Sequence, residues 1–296
     1  MKVVAGRKSE NNDYLKQLLE YIHAMRGIDF SLYRQATVSR KLELRLQETK
    51  NRDYKKYLSF LNANPDELQF LVRTLTIKVS NFFRNPVVFE LLSSRVLPEL
   101  AAEFGFLKAW SLGCANGEEP YSVAMLVHEF QSQESRSFAC QIQGSDVDPD
   151  AVEKARKGEY SGEELIETKK RYVEQYFSRL PHKPGMSAAH ECYQVKDEIR
   201  SMVKFSSDNI MNMLLHKKAY PGTYNLILCR NVLIYLNREM QEELIRAIGN
   251  ILYNKGYLVL GEAETMPESV RQEFEQPFPG IKIFRKRQLT GGKCFV

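Results

Sequence analysis

Residues Leu107–Ser122 read LKAWSLGCANGEEPYS, and this stretch decides the fold. Leu107, Ala109, Trp110 and Leu112 form a short apolar run with few turn formers, the pattern of a buried strand. Gly113 and Gly117 then bracket a turn of small residues, and Pro120 opens an amphipathic run, so the order is strand, glycine turn, helix. In an open α/β sheet, ligands sit at the carboxyl end of such a strand, where glycines let the backbone approach something flat or anionic. The two best-known phosphate patterns fail here, because no Gly-Lys-Ser/Thr follows and the spacing is not GxGxxG. Glu118 and Glu119 stand where a phosphate binder would place positive charge. The ligand is therefore expected to offer hydroxyls or positive charge.

The chain of 296 residues has room for a small domain beside a full α/β one, and its 43% hydrophobic content can bury a sizeable core. No apolar run approaches the roughly 18 residues of a membrane span, and the basic start MKVVAGRKSE has no apolar core of a signal peptide, so a cytoplasmic protein is expected. Cys114, Cys140, Cys192, Cys229 and Cys294 are odd in number and lack CxxC spacing, which favours reduced thiols over disulfides or a metal site. A net charge of +5 is too modest to indicate nucleic acid yet suits an acidic protein partner.

Upstream of the central stretch the pattern is helical. Leu15, Leu18, Leu19, Ile22 and Met25 share a face ending at Gly27, and a second helix is predicted from about Leu32 to Lys50. On it Arg34, Lys41 and Arg45 fall within one narrow arc at 100° per residue. Tyr54, Tyr57, Leu58 and Leu61 suggest a third helix. Asn64-Pro65-Asp66-Glu67 supplies a cap, a first-turn proline and a third-position glutamate for a fourth. Thr76–Asn85 breaks the period and reads as a linker, with Asn85 as cap for a helix starting at Pro86.

Downstream, Cys140–Ser145 reads as a second strand ending in Asp146, an acid placed to accept from ribose hydroxyls, while Asp148-Pro149 caps the next helix. Glu163–Arg179 reads as a charged helix, Pro181–Ala189 as a loop and Cys192–Phe205 as strand, together an inserted antiparallel sheet. Val203–Phe205 resumes the main sheet, followed by Asn209 and Ile210. Tyr224–Leu228 is another buried strand, leading into Cys229-Arg230-Asn231. Asn237 caps a helix that Asn254-Lys-Gly256 stops, and strands are expected at Tyr257–Leu260 and Gly280–Phe284.

SNFFRNPVVFE, WSLGCANGEEPYSVA, GSDVDPDAVEKARKGEY and LCRNVLIYLNREMQ resemble the CheR family of chemoreceptor protein-glutamate O-methyltransferases, in order, from about residue 14 to residue 285. The resemblance implies a Rossmann-like α/β methyltransferase domain that takes S-adenosyl-L-methionine, carries a small β-subdomain insertion and follows a small all-α N-terminal domain. The expected division is a helical substrate-docking domain at 10–78, a linker with the FFR element at 79–90, and a methyltransferase domain at 91–288 with the insertion at about 178–203. By motif, Lys78, Ser80, Arg84, Gly113, Glu118, Asp146, Asn209, Ile210, Cys229, Arg230 and Asn231 are implied cofactor contacts. Arg84 and Tyr235 are the implied catalytic pair. Lys78 stands where many members have asparagine, Ser80 where they have threonine, and Gly261-Glu-Ala-Glu264 where many read Gly-His-Ser-Glu.

A glutamate substrate has a pKa near 4.3 and needs no general base, which agrees with the lack of any Ser-His-Asp or Cys-His arrangement. Arg84 would grip the carboxylate bidentately and Tyr235 would donate to it. The implied partners are cytoplasmic domains of chemoreceptors, acidic helical bundles met by Arg34, Lys41 and Arg45. Contact with the membrane is indirect, through receptors, and the protein is expected to be a monomer. The segment Pro181–Ala189 lacks the short Gly-x-Gly turn of members that hold a receptor's C-terminal pentapeptide. Two alternatives are a non-catalytic S-adenosylmethionine sensor, opposed by the presence of Arg84 and Tyr235, and a nucleic-acid methyltransferase, opposed by the missing NPPY-like motif and interleaved aromatics.

Overall fold

A computed structural model describes residues 2–76, 80–134, 139–181, 191–208 and 222–288. Lys78, Asn209, Ile210, Cys294 and most of the Pro181–Ala189 segment lie outside the described residues. The chain divides into two compact units, Met1–Ile77 with Tyr235–Met240, and Lys78–Ile234 with Gln241–Val296. No helix among the described residues is long and apolar enough to cross a membrane.

The first unit is built from α1 (Lys2–Arg26), α2 (Gln35–Glu48), α3 (Tyr54–Ala63) and α4 (Pro65–Leu75). Gly27 ends α1 as expected, with φ +69° and its N–H donating to His23 O at 2.8 Å. The second helix begins later than Leu32, because Asp29 accepts from Ser31 N and holds Phe30–Leu32 in a separate 3₁₀ turn. Leu18, Ile22, Leu42, Tyr57, Leu61 and Leu71 form a closed core.

The box expected at the start of α4 does not form. Asn64 turns its amide to Phe60 O, and the Glu67 carboxylate accepts from Arg45 Nε, Arg45 Nη2 and Tyr57 Oη, each at 2.6 Å. A bidentate guanidinium and a buried phenol bind this carboxylate more strongly than a backbone amide would, so tertiary pairing displaces the local cap. Glu67→Ala should lower the stability of this unit by about 3 kcal/mol, since it leaves Tyr57 without its acceptor and Arg45 with only the exposed Glu48. Urea unfolding followed by circular dichroism checks this, and an unchanged midpoint would show the triad contributes nothing.

The second unit contains, in chain order, α5 (Pro86–Leu91), α6 (Leu97–Phe104), β1 (Phe106–Leu112), α7 (Glu118–Glu134), β2 (Ala139–Asp146), α8 (Pro149–Lys157), β3 (Glu159–Ser161), α9 (Lys170–Tyr176), β4 (Phe177–Arg179) and β5 (Cys192–Val195). It continues with α10 (Asp197–Arg200), β6 (Val203–Ser207), β7 (Tyr224–Cys229), α11 (Arg238–Ile251, in this unit from Gln241 on), β8 (Leu252–Leu260), α12 (Glu268–Arg271), β9 (Phe274–Glu275) and β10 (Ile283–Lys286). The main sheet has the order β6-β2-β1-β7-β8-β10-β9, parallel through β8 and antiparallel beyond it. From Leu107 to Leu112 only Lys108 escapes full burial, as a parallel strand covered on both faces requires. Leu112 pairs with Ser145 on one side and Cys229 on the other, so β1, β2 and β7 end level at the point where strand order reverses. That is where an α/β sheet opens a crevice.

Several boundaries differ from the sequence expectation. Residues 80–90 are part of the second unit, not a linker: Phe82 is 1% exposed and meets Tyr160 and Phe177 edge to face. The small antiparallel sheet has the order β3-β5-β4 and begins at Glu159, ahead of the expected insertion. The expected helix over Glu163–Arg179 is a 3₁₀ turn at Glu163–Leu165 followed by α9. Asn254-Lys-Gly256 does not stop α11, which already ends at Ile251. These residues form an irregular part of β8, with Lys255 at φ +66° and a register shift against β7.

Candidate active site

The crevice is shaped by the turn after β1. Gly113 N and Cys114 N both donate to Ser145 O, at 2.8 and 3.0 Å, and Gly117 N donates to Cys114 O at 2.9 Å. Gly113 (φ +70°) and Gly117 (φ +95°) are left-handed, and a Cβ would lie 2.7 Å from Val232 Cγ2 at the first and 2.9 Å from Ala155 Cβ at the second. The glycines are thus demanded by the protein's own packing at the strand ends, a stricter reason than room for a ligand.

Glu118, the first residue of α7, is 1% exposed. Its Oε1 accepts from Asn116 Nδ2 at 3.3 Å, while Oε2 is buried with no hydrogen-bond partner among the described residues. Burial pushes this carboxyl up to about 7, against the lowering pull of its backbone amide and of Asn116. An unsatisfied buried carboxylate is costly, and a cationic ligand would relieve it. Asp146 at the end of β2 accepts from Ala115 N on Oδ2 (2.9 Å) and from Asp148 N on Oδ1 (3.0 Å), pinning the glycine turn. Asp148 takes the capping role expected of it, accepting from Asp150 N at 2.9 Å and Ala151 N at 3.4 Å.

At the end of β7, Cys229 is fully buried and its thiol is pushed well up, first by burial, so it is a neutral wall. Asn231 adopts φ +59°. The loop is held by Glu264, which the sequence reading did not single out. Its Oε2 accepts from Gly261 N at 2.5 Å and its Oε1 from Leu233 N at 2.7 Å, with Asn231 and Ile234 amides also donating to this carboxylate. Gly261 is required there, as a Cβ would stand 2.8 Å from Glu264 Oε2. The spacing Gly261…Glu264 after a strand was the signal available.

The FFR element lies in the same unit. Phe83 (φ +53°) and Asn85 (φ +61°) are left-handed on either side of half-buried Arg84, and Ser80 is half-buried ahead of them. Phe83 N donates to Ser122 Oγ at 3.0 Å, which itself donates to Glu118 O at 2.7 Å. Asn85 does not cap α5 with its side chain: Nδ2 donates to Glu262 at 2.8 Å and Oδ1 accepts from Arg230 at 2.5 Å. The Arg230 side chain is directed to this segment and to Glu119, with Nη2 also donating to Arg84 O at 2.7 Å and Nη1 to Glu119 Oε2 at 3.1 Å. Half-buried Tyr235 ends a short 3₁₀ turn and begins the Tyr235–Met240 segment of the first unit, where its carbonyl accepts from Arg34 N at 2.7 Å.

The basic arc of α2 is not a free docking face. Lys41 is 8% exposed and donates to the last carbonyls of α4, Thr74 O at 2.7 Å and Leu75 O at 2.9 Å; burial lowers its ammonium to about 8. Arg45 is committed to Glu67 and Glu48 and lies 5.6 Å from the Phe70 ring. Arg34 stays exposed, with Nε donating to Leu236 O at 3.2 Å.

A mostly parallel α/β sheet with a buried, half-satisfied acid beside its switch point defines a Rossmann-like ligand-binding fold. The chain belongs to the CheR methyltransferase family: residues 78–279 match its SAM-binding domain and residues 13–76 its all-alpha domain. It is similar to the chemotaxis protein methyltransferase of Borreliella burgdorferi, 26% identical over 272 residues that make up 90% of this chain and 92% of that one. It is also similar to that of Salmonella typhimurium, 28% identical over 268 residues, 90% of this chain and 88% of the relative. The chain is an S-adenosylmethionine-dependent methyltransferase.

Proposed function

We propose that the protein methylates glutamate side chains on the cytoplasmic domains of chemoreceptors, yielding glutamyl methyl esters and S-adenosylhomocysteine. The observation that carries this reading is Glu118, a buried carboxylate with one unsatisfied oxygen, set in a SAM-binding domain of a family whose relatives are chemotaxis methyltransferases. When bound, S-adenosylmethionine supplies a methyl group on a positively charged sulfur. Glu118 would hold its ammonium end, Asp146 its ribose hydroxyls, and Cys229 and Asn231 the wall between them. Arg84 would orient the receptor carboxylate. The glutamate is already an anion at neutral pH, so these residues contribute alignment and exclusion of water, with no proton to remove.

Glu118 ties cofactor affinity to pH. Only its ionised form attracts an ammonium group, so affinity should rise as pH climbs through about 7 and level off above it. The free protein behaves oppositely: with the folded value raised above the unfolded one, stability falls as pH rises from the ordinary carboxylate range through about 7. The melting-temperature increase caused by S-adenosylmethionine should therefore be larger on the alkaline side, and a pH-independent increase would remove Glu118 from the site. For the reaction, receptor fragments incubated with methyl-labelled cofactor should acquire alkali-labile label. Cofactor binding with no transfer would favour the sensor reading.

A further inference from the structure

We propose that Arg230 is a positioning residue whose side chain, anchored by Glu119, fixes the backbone on which Arg84 is carried. This rests on the reading of Arg84 as the carboxylate-gripping residue. The side chain of Arg230 is 2% exposed and has three acceptors on two segments. Nη2 donates to the carbonyl of Arg84 and to Asn85 Oδ1, and Nη1 to Glu119 Oε2, while the guanidinium carbon lies 5.5 Å from the Phe89 ring. Glu119 is itself held by Ser111 Oγ, which donates to its Oε1 at 2.7 Å from within β1. The chain of contacts therefore runs from the central strand through Glu119 and Arg230 to the main chain at Arg84.

That segment needs such an anchor. Phe83 and Asn85 both adopt left-handed backbone conformations, which cost most for a bulky residue such as phenylalanine and persist only when surrounding contacts over-determine them. Ser122 fixes the amide of Phe83 on one side, and Arg230 with Glu262 fixes Asn85 on the other. Arg84 lies between these two fixed points. The adjacent acids of the GEE sequence divide their work accordingly: Glu118 keeps an unsatisfied oxygen for a cation, and Glu119 neutralises the buried guanidinium that braces the FFR element. The side chain of Arg230 thus has a task other than touching the cofactor, and a planar fork is needed for it. A lysine ammonium would keep the pairing with Glu119 but could not span the three acceptors in fixed geometry.

The test compares wild type, Arg230→Lys, Arg84→Ala and the double variant in the full chain, reading kcat and KM for a receptor fragment and the S-adenosylmethionine Kd by calorimetry. Arg230→Lys should lower kcat by up to about 100-fold, the cost of a displacement of about 1 Å in a reacting group, with cofactor Kd nearly unchanged. In the Arg84→Ala background the same change should cost no further rate. If Arg84→Ala is crippled yet Arg230→Lys multiplies the loss in full, Arg230 acts independently and the proposal is overturned. If Arg84→Ala transfers methyl at the wild-type rate, the underlying reading of Arg84 fails instead, and the proposal falls with it. Glu119→Gln retains a hydrogen bond without the charge and provides a milder folded variant. Its kcat loss should likewise vanish in the Arg84→Ala background, and a persistent loss counts against the proposal.

Discussion

Replacing Arg84 with alanine should lower the rate of methyl transfer by about 100- to 1,000-fold, the range seen when one preorganised electrostatic contact to a reacting group is removed. Cofactor affinity should change far less. The receptor carboxylate is an anion that must leave water to approach the methyl group, and a bidentate guanidinium holds both oxygens while setting their direction. The backbone around Arg84 is built for fixed placement: left-handed neighbours, an amide bonded to Ser122 and a carbonyl bonded to Arg230. Arg84→Lys should restore only part of the rate, since an ammonium lacks the planar fork. Labelled-methyl transfer measured at saturating cofactor decides the matter, and a near-normal rate for the alanine variant would refute this assignment.

Asp146→Ala is expected to weaken S-adenosylmethionine binding by about 100-fold. Charge-assisted hydrogen bonds contribute about 1.5–3 kcal/mol each, and tenfold in affinity corresponds to about 1.4 kcal/mol. Asp146 would act twice, accepting from the ribose and holding Ala115 N and Asp148 N so that the turn after β1 keeps its shape. Asn at this position preserves an acceptor and should fall between the two. Calorimetry giving an unchanged affinity for the alanine variant would remove Asp146 from the cofactor site.

The strand, glycine turn and helix at Leu107–Ser122 were legible because local chemistry and tertiary context demand the same thing there. Apolar residues fill a strand covered on both faces, and glycines occupy left-handed positions where a Cβ would collide. Asp148 and Asn237 were legible as caps for the same reason: each accepts from the start of its own helix, where the local signal and the fold agree. Asn64, Asn85 and Glu67 have local signals just as good, yet their side chains go elsewhere. Arg230 and Glu262 draw Asn85 away, and Arg45 and Tyr57 draw Glu67 away. Sequence offers no sign of the competition from Arg45, Arg230 and Glu262, because these partners lie far along the chain.

The basic arc of α2 shows a second limit. Helical arithmetic groups Arg34, Lys41 and Arg45 on a face but is silent on what that face meets. Lysine and arginine have apolar stems long enough to cross a helix interface and deliver their charge to a carbonyl end or a carboxylate. Lys41 does the first and Arg45 the second. The split between Glu118 and Glu119 was likewise hidden, since two adjacent identical residues differ only in what surrounds them. Ser111 and Arg230 take one, and burial leaves the other half-satisfied.

The central claim, that glutamate carboxylates of chemoreceptors receive the methyl group, is tested most directly by locating the product. Receptor cytoplasmic fragments treated with this protein and S-adenosylmethionine would be digested and sequenced by mass spectrometry before and after mild alkali. The account predicts methyl groups on glutamate side chains that alkali removes, and loss of modification when those glutamates are replaced by glutamine. Alkali-stable methyl groups on nitrogen or sulfur, or modification that survives the glutamine replacements, would contradict it.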